Sequence, residues 1–182
     1  RGVMAEDEWA LRNRCEYATR GRPPLLEVTT PRAVALPRRN ERLERDLQLV
    51  RLTGARYHAA HLTTATSVEA VRRAKNEGLP VTADTSAPYF QLNELAVSTY
   101  SSAAKLNPPL RTEDDRQAIM AALADGTIDV IASDHVPVNP DMKHLPFSLA
   151  SCGASGLEVM LVMTLRLVLN DVISWQRAFE LL

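Results

Sequence analysis

Cysteine is nearly absent from this chain: Cys15 and Cys152 lie far apart, and neither belongs to a CxxC pair. That excludes a disulfide framework and points to a reducing compartment. Aromatic residues are equally scarce at 5% of the 182 residues, too few for a platform on which single-stranded bases stack. Charge of one sign is lacking as well. The formal net charge of −1 leaves no basic excess to neutralise nucleic-acid phosphates or to hold an anionic membrane surface. No uninterrupted apolar run reaches the roughly 18 residues of a membrane-spanning helix, and no apolar leader segment follows Arg1. These absences lead to an expectation of a cytoplasmic protein with no nucleic-acid and no membrane partner. What is present is an apolar fraction of 46%, enough for a domain of this length to bury a core.

Lysine is the last scarcity. Only Lys75, Lys105 and Lys143 occur, and arginine supplies the remaining basic charge. Nine arginines fall between Arg12 and Arg45, a stretch that also holds Pro23, Pro24, Pro31 and Pro37. Proline breaks helices and the arginines show no period, so residues 13–42 read as an irregular Arg/Pro-rich segment, a solvated loop.

From Gly54 onward the pattern is regular. Residues 55–62 read as a short buried strand. Thr66 or Ser67 caps a helix that Gly78 ends, and residues 79–84 form a second strand. Thr112 caps a helix whose first turn carries Glu113, Asp114 and Asp115, suited to the positive end of the helix dipole. Residues 128–133 form a third strand, an apolar helix spans about 157–169, and another begins at Ser174. Strands apolar on both faces that alternate with helices imply parallel β/α units. His61, Asp84, Asp134 and His135 fall at the carboxyl ends of the strands, where such folds gather ligands.

Several of these residues can carry chemistry. His58 and His61 are three apart on a presumed strand and so face opposite sides, which argues against a chelating pair; His61, at the strand end, is the better ligand of the two. Asp134 ends an apolar strand, where a carboxylate is costly unless paired or coordinated, and it suits either metal binding with general-base work or a simple turn role. Asn107 precedes a stiff diproline that holds its amide with little entropy lost. Arg111 suits a carboxylate ligand, but pairing with Asp114 or Asp115 is the favoured reading. Gly153 and Gly156 precede a helix and offer backbone donors. There is no Walker A and no GxGxxG.

The runs HLTTATSVEAVRRAK, GLPVTAD, KLNPPLRTEDDRQAIMAALADGTIDVIASDH and LPFSLASCGASGLE resemble, in order and spacing, the dihydroorotases of the amidohydrolase superfamily. The resemblance covers about Leu52 to Leu169, and Gly2-Val3-Met4 with Glu6 match a further upstream run. It implies an α/β fold, a (β/α)8 barrel of which residues 1–182 are the truncated C-terminal part. It also implies zinc, and the reversible hydrolysis of dihydroorotate to N-carbamoyl-aspartate in pyrimidine biosynthesis. Carried over by motif, His61 is a metal ligand, and Asp134 is a metal ligand and the catalytic proton carrier. Asn107 contacts the substrate, and Gly153 belongs to the pocket lining.

The departures matter. Tyr89 stands where the resemblance expects a histidine, and a neutral phenol is a poor substitute for imidazole on zinc. The run Asp134-His135-Val136-Pro137-Val138 ends in valine in place of a substrate-binding histidine. The HxHxR run, whose two histidines bind metal and whose arginine grips the substrate carboxylate, does not occur in these residues. Two explanations compete: a noncatalytic dihydroorotase-like companion of aspartate carbamoyltransferase, or a partial reading frame with out-of-frame residues between 13 and 42. Oligomeric state stays open, a homo-oligomer included.

Overall fold

Thr64, Thr112 and Ser174 each close an extended stretch and open a helix. Their side-chain oxygens accept from the backbone N–H three residues on, at Ser67, Asp115 and Arg177. Gly78 and Gly126, at φ of 78° and 85°, reverse the chain after two of the helices, a conformation that residues with a Cβ avoid. The computed structural model describes residues 25–28 and 36–182.

Four strands are found: β1 (Leu25–Val28), β2 (Arg56–Ala59), β3 (Val81–Ser86) and β4 (Val130–Ala132). They pair in parallel in the order β1-β2-β3-β4. Helices α1 (Leu36–Thr53), α2 (Ala65–Asn76), α3 (Ala87–Gln91), α4 (Glu113–Asp125), α5 (Pro140–Lys143), α6 (Leu157–Leu169) and α7 (Trp175–Leu181) lie between and after them. This is the expected parallel β/α architecture. The cap of α2 sits at Thr64, ahead of the expected Thr66 or Ser67.

The segment 13–42 needs correction. It contains β1 and the start of α1, so it is not an irregular loop throughout. Pro37 does not prevent α1 because it falls in the first turn, where the N–H it lacks has no intrahelical partner.

Burial follows the pleat. In β2, Tyr57 and Ala59 are buried against the helices, while Arg56 and His58 turn to the other face. Leu43, Leu47 and Val50 of α1, Val68, Val71 and Ala74 of α2, and Ile119 and Leu123 of α4 complete a core with Phe90, Ile128 and Leu181. Polar ties fix the helices to the sheet: Lys75 pairs with Asp129 at 2.7 Å, and the same carboxylate accepts from the Ala83 backbone at 2.8 Å. Arg177 of α7 donates to the carbonyls of Leu123 and Ile128. Among the described residues no helix is long and apolar enough to cross a membrane.

Ile119 is fully buried between α4 and the sheet, so Ile119→Ala should lower unfolding stability by about 2–5 kcal/mol. Urea denaturation will measure this as a lower midpoint at unchanged slope.

Candidate functional site

β2 and β3 carry their polar side chains to the same end of the sheet. His58 pairs in register with Thr82, and its Nδ1 lies 2.8 Å from the Thr82 hydroxyl. Its Nε2 lies 2.8 Å from Asp84 Oδ2. The other carboxylate oxygen is 3.0 Å from His61 Nδ1 and accepts from the His61 backbone N–H at 2.8 Å. An ionised carboxylate only accepts, so each imidazole places a proton on the nitrogen facing Asp84. Burial opposes the charge on Asp84. The hydrogen bonds from His58 and from the ring and backbone of His61 outweigh that, and hold its pKa down to about 2.

This arrangement corrects the expectation that the two histidines face apart. β2 stops at Ala59, and His61 takes φ of 55°, so the backbone turns and brings its ring back to Asp84. Both histidines thereby meet on one carboxylate.

A second feature lies beyond β4. Asp134, also left-handed at φ of 45°, lines a cleft of about 150 Å³ together with Asn107, Val136, Cys152 and Gly153. Three of the expected site residues, Asn107, Asp134 and Gly153, are thus brought to one cleft, while His61 is not part of its lining. The Ser86 hydroxyl and the Tyr89 phenol stand 3.4 Å and 3.5 Å from Asp134 Oδ2. Tyr89 also donates to the Pro108 carbonyl at 3.0 Å. The sequence placed Tyr89 only as a missing histidine, and gave no signal that its hydroxyl reaches Asp134.

Gly153 does not offer its N–H to the cleft, because that group donates to the Lys105 carbonyl at 3.1 Å. Its part is steric. At φ of 129°, a Cβ would fall 2.6 Å from the Val136 carbonyl oxygen. Gly156 is tighter still: a Cβ there would meet the Ser133 oxygen at 1.8 Å. Asn107 Oδ1 is buried without a hydrogen-bond partner, an acceptor waiting for a donor. Arg111 is a further correction. It forms no ion pair with Asp114 or Asp115; its Nε and Nη2 are buried without partners, and burial pushes its guanidinium below the ordinary value.

The residues do not fit the implied metal. Zinc sites need three or four donors facing one point; among the described residues no such group is placed to hold a metal, and His58, His61 and Asp84 turn their polar atoms on one another. His61 is committed through Nδ1 to Asp84, while Asp134 belongs to a cleft that His61 does not line.

No family model matches the chain. A dihydroorotase of Desulfotalea psychrophila is 49% identical over 140 residues, 77% of this chain and 33% of that protein. A dihydroorotase of Syntrophotalea carbinolica is 47% identical over 167 residues, 92% of this chain and 36% of that protein. Over most of its length the chain is thus similar to one part of these dihydroorotases. A solved D-hydantoinase structure superposes with a TM-score of 0.71 at 28% identity, covering 78% of this chain and 33% of its own. The four-stranded sheet is therefore part of an amidohydrolase barrel. The chain spans about a third of the length of the dihydroorotases it matches. A match over 92% of the chain also reaches into the Arg/Pro-rich segment, which is thus not wholly foreign to dihydroorotases.

Asp84 is ionised more easily folded than unfolded, so its contribution to stability is full above about pH 4 and is lost as pH falls towards 2. Asp84→Asn should therefore flatten the acid limb of a stability–pH profile, measured by thermal unfolding between pH 2 and 6. Gly156→Ala should lower the melting temperature and shift the Asp134 backbone resonances, because Ser133 must move to admit the methyl group.

Proposed function

We propose that this chain supplies part of the substrate cleft of a dihydroorotase, which reversibly hydrolyses the cyclic amide of dihydroorotate to N-carbamoyl-aspartate in pyrimidine biosynthesis. The observation that carries this reading is the meeting of Asn107 and Asp134 in one cleft at the carboxyl ends of the strands. In ring opening, the Asp134 carboxylate takes the proton from the attacking water and returns it to the leaving ring nitrogen. Ring closure runs through the same proton in reverse. The unpartnered Asn107 Oδ1 accepts a ring N–H and so orients the carbonyl for attack. Gly153 keeps the facing wall close without a side chain of its own.

Zinc belongs to this reading as a family expectation whose donors would have to come in part from outside the described residues. A cytoplasmic location also belongs to the proposal. A second reading, the noncatalytic companion of aspartate carbamoyltransferase, draws on Tyr89, whose phenol occupies the position of a family histidine and is bonded to Pro108.

Steady-state assays of dihydroorotate ring opening by the full-length product of the locus, with zinc supplied, separate the two readings. Under the enzymatic reading Asp134→Asn lowers kcat at least 100-fold, and Asn107→Ala raises KM more than it lowers kcat. No turnover and no zinc uptake, together with copurification with the transferase, would favour the companion and overturn the enzyme.

A further inference from the structure

The two walls of the Asp134 cleft come from loops far apart in sequence: Leu106 and Asn107 on one side, Cys152 to Ala154 on the other. Neither wall is a strand or a helix, and yet the two are stitched together by lysine. The Lys105 ammonium donates to the carbonyls of Phe147, Ser148 and Ala150 at 2.7, 3.2 and 2.7 Å. It also stands 5.3 Å from the centre of the Phe147 ring. Lys143 works in the opposite direction, donating from the second loop to the carbonyls of Ser102 and Lys105 at 2.9 and 3.3 Å. Around this pair, the Gly153 N–H donates to the Lys105 carbonyl, Ser102 Oγ donates to the Lys143 carbonyl, and Tyr100 meets Phe147 edge to face at 5.9 Å.

Ordinary surface lysines keep their charge in water or set it against a carboxylate, as Lys75 does with Asp129. Lys105 and Lys143 have no carboxylate within 4 Å among the described residues. Their hydrogen bonds go to backbone oxygens of the opposite loop, groups that would otherwise lose water without gaining a partner. A compact cation with three donors can gather three carbonyls at once, which a neutral side chain cannot.

We propose that Lys105 and Lys143 are positioning residues, a reciprocal clamp that holds the two walls of the cleft in register so that Asn107 faces its ligand. The clamp itself is independent of the ligand; its bearing on affinity rests on the dihydroorotate reading of the cleft.

Amide hydrogen exchange, the Asn107 side-chain amide resonances and dihydroorotate titration test it on the whole chain. Lys105→Met and Lys143→Met should each speed exchange at Ser151 and Gly153 tenfold or more. The double variant should go little beyond the larger single effect, since one clamp is broken by either change. Exchange at Tyr57 and Ala83 in the sheet should not change. Dihydroorotate affinity should fall about tenfold in each single variant and recover in Lys105→Arg, which keeps the charge and the donors. Should Lys105→Met fail to fold, Lys105→Gln is measured in its place. Unchanged exchange at Ser151 and Gly153 overturns the clamp. Faster exchange with full affinity overturns its positioning role. Should the wild-type full-length product of the locus bind no dihydroorotate, the functional reading fails on its own. The Asn107 amide resonances then decide: a shift in Lys105→Met supports the clamp, and no shift overturns it.

Discussion

The carboxylate of Asp84 is the junction on which the ligand side of this sheet depends. Burying such a charge costs several kcal/mol, and a hydrogen bond to a charged group returns only about 1.5–3 kcal/mol. One bond would not suffice. Asp84 has His58 on one oxygen, and both the ring and the backbone of His61 on the other. The depressed pKa is the net sign of that competition. The geometry has a further effect: accepting the His61 N–H fixes the first residues beyond β2 to β3 and stabilises a positive φ that histidine otherwise avoids. The exit of β2, and hence the start of the loop leading into α2, is set by a side chain of the neighbouring strand.

On the other side of the ligand end, distance replaces charge. The chain leaving β4 passes so close to the residues before α6 that no side chain fits between them. At Gly153 and Gly156 a methyl group would fall inside contact distance of the Val136 and Ser133 oxygens. The Val136 N–H donates to the Ala154 carbonyl across that gap, and the Leu157 N–H reaches His135. Asp134 sits within this packed crossing, which is why its carboxylate has a defined place even though β4 is only three residues long.

Much of this was legible in the residues. Thr112 with its acidic first turn, Gly126, Ser174 and the apolar run at 157–169 mark their elements because each signal is local: a cap, a positive φ or a helical period. β1 and α1 were not, because proline argues against both until its position in the first turn of α1 is known. The site was legible by residue and not by contact. Asn107, Asp134 and Gly153 were named and do share a cleft, but the convergence of His58 and His61 depends on a left-handed turn at a non-glycine residue. No periodicity announces such a turn. Arg111 was expected to pair with the helix that follows it, and the fold instead buries two of its nitrogens without partners. Nearness in sequence is no guide to which way a long side chain leaves the backbone.

The two aspartates, Asp84 within β3 and Asp134 just beyond β4, are chemically unlike for reasons the structure makes plain. Asp84 accepts from His58 and from the His61 backbone and has the His61 ring 3.0 Å away, and a carboxylate held near a pKa of 2 has little tendency to take a proton at neutral pH. It is an anchor. Among the described residues Asp134 has only the longer approaches of Ser86 and Tyr89, and it opens onto a cleft of about 150 Å³. Under the proposed hydrolytic reading a proton carrier must be free to exchange partners, and of these two aspartates Asp134 is the one whose contacts allow it. Tyr89 sharpens the difference, since its hydroxyl spends its proton on the Pro108 carbonyl. What separates an anchor from a reactive group here is how completely the fold has already satisfied each carboxylate, more than the identity of the residue.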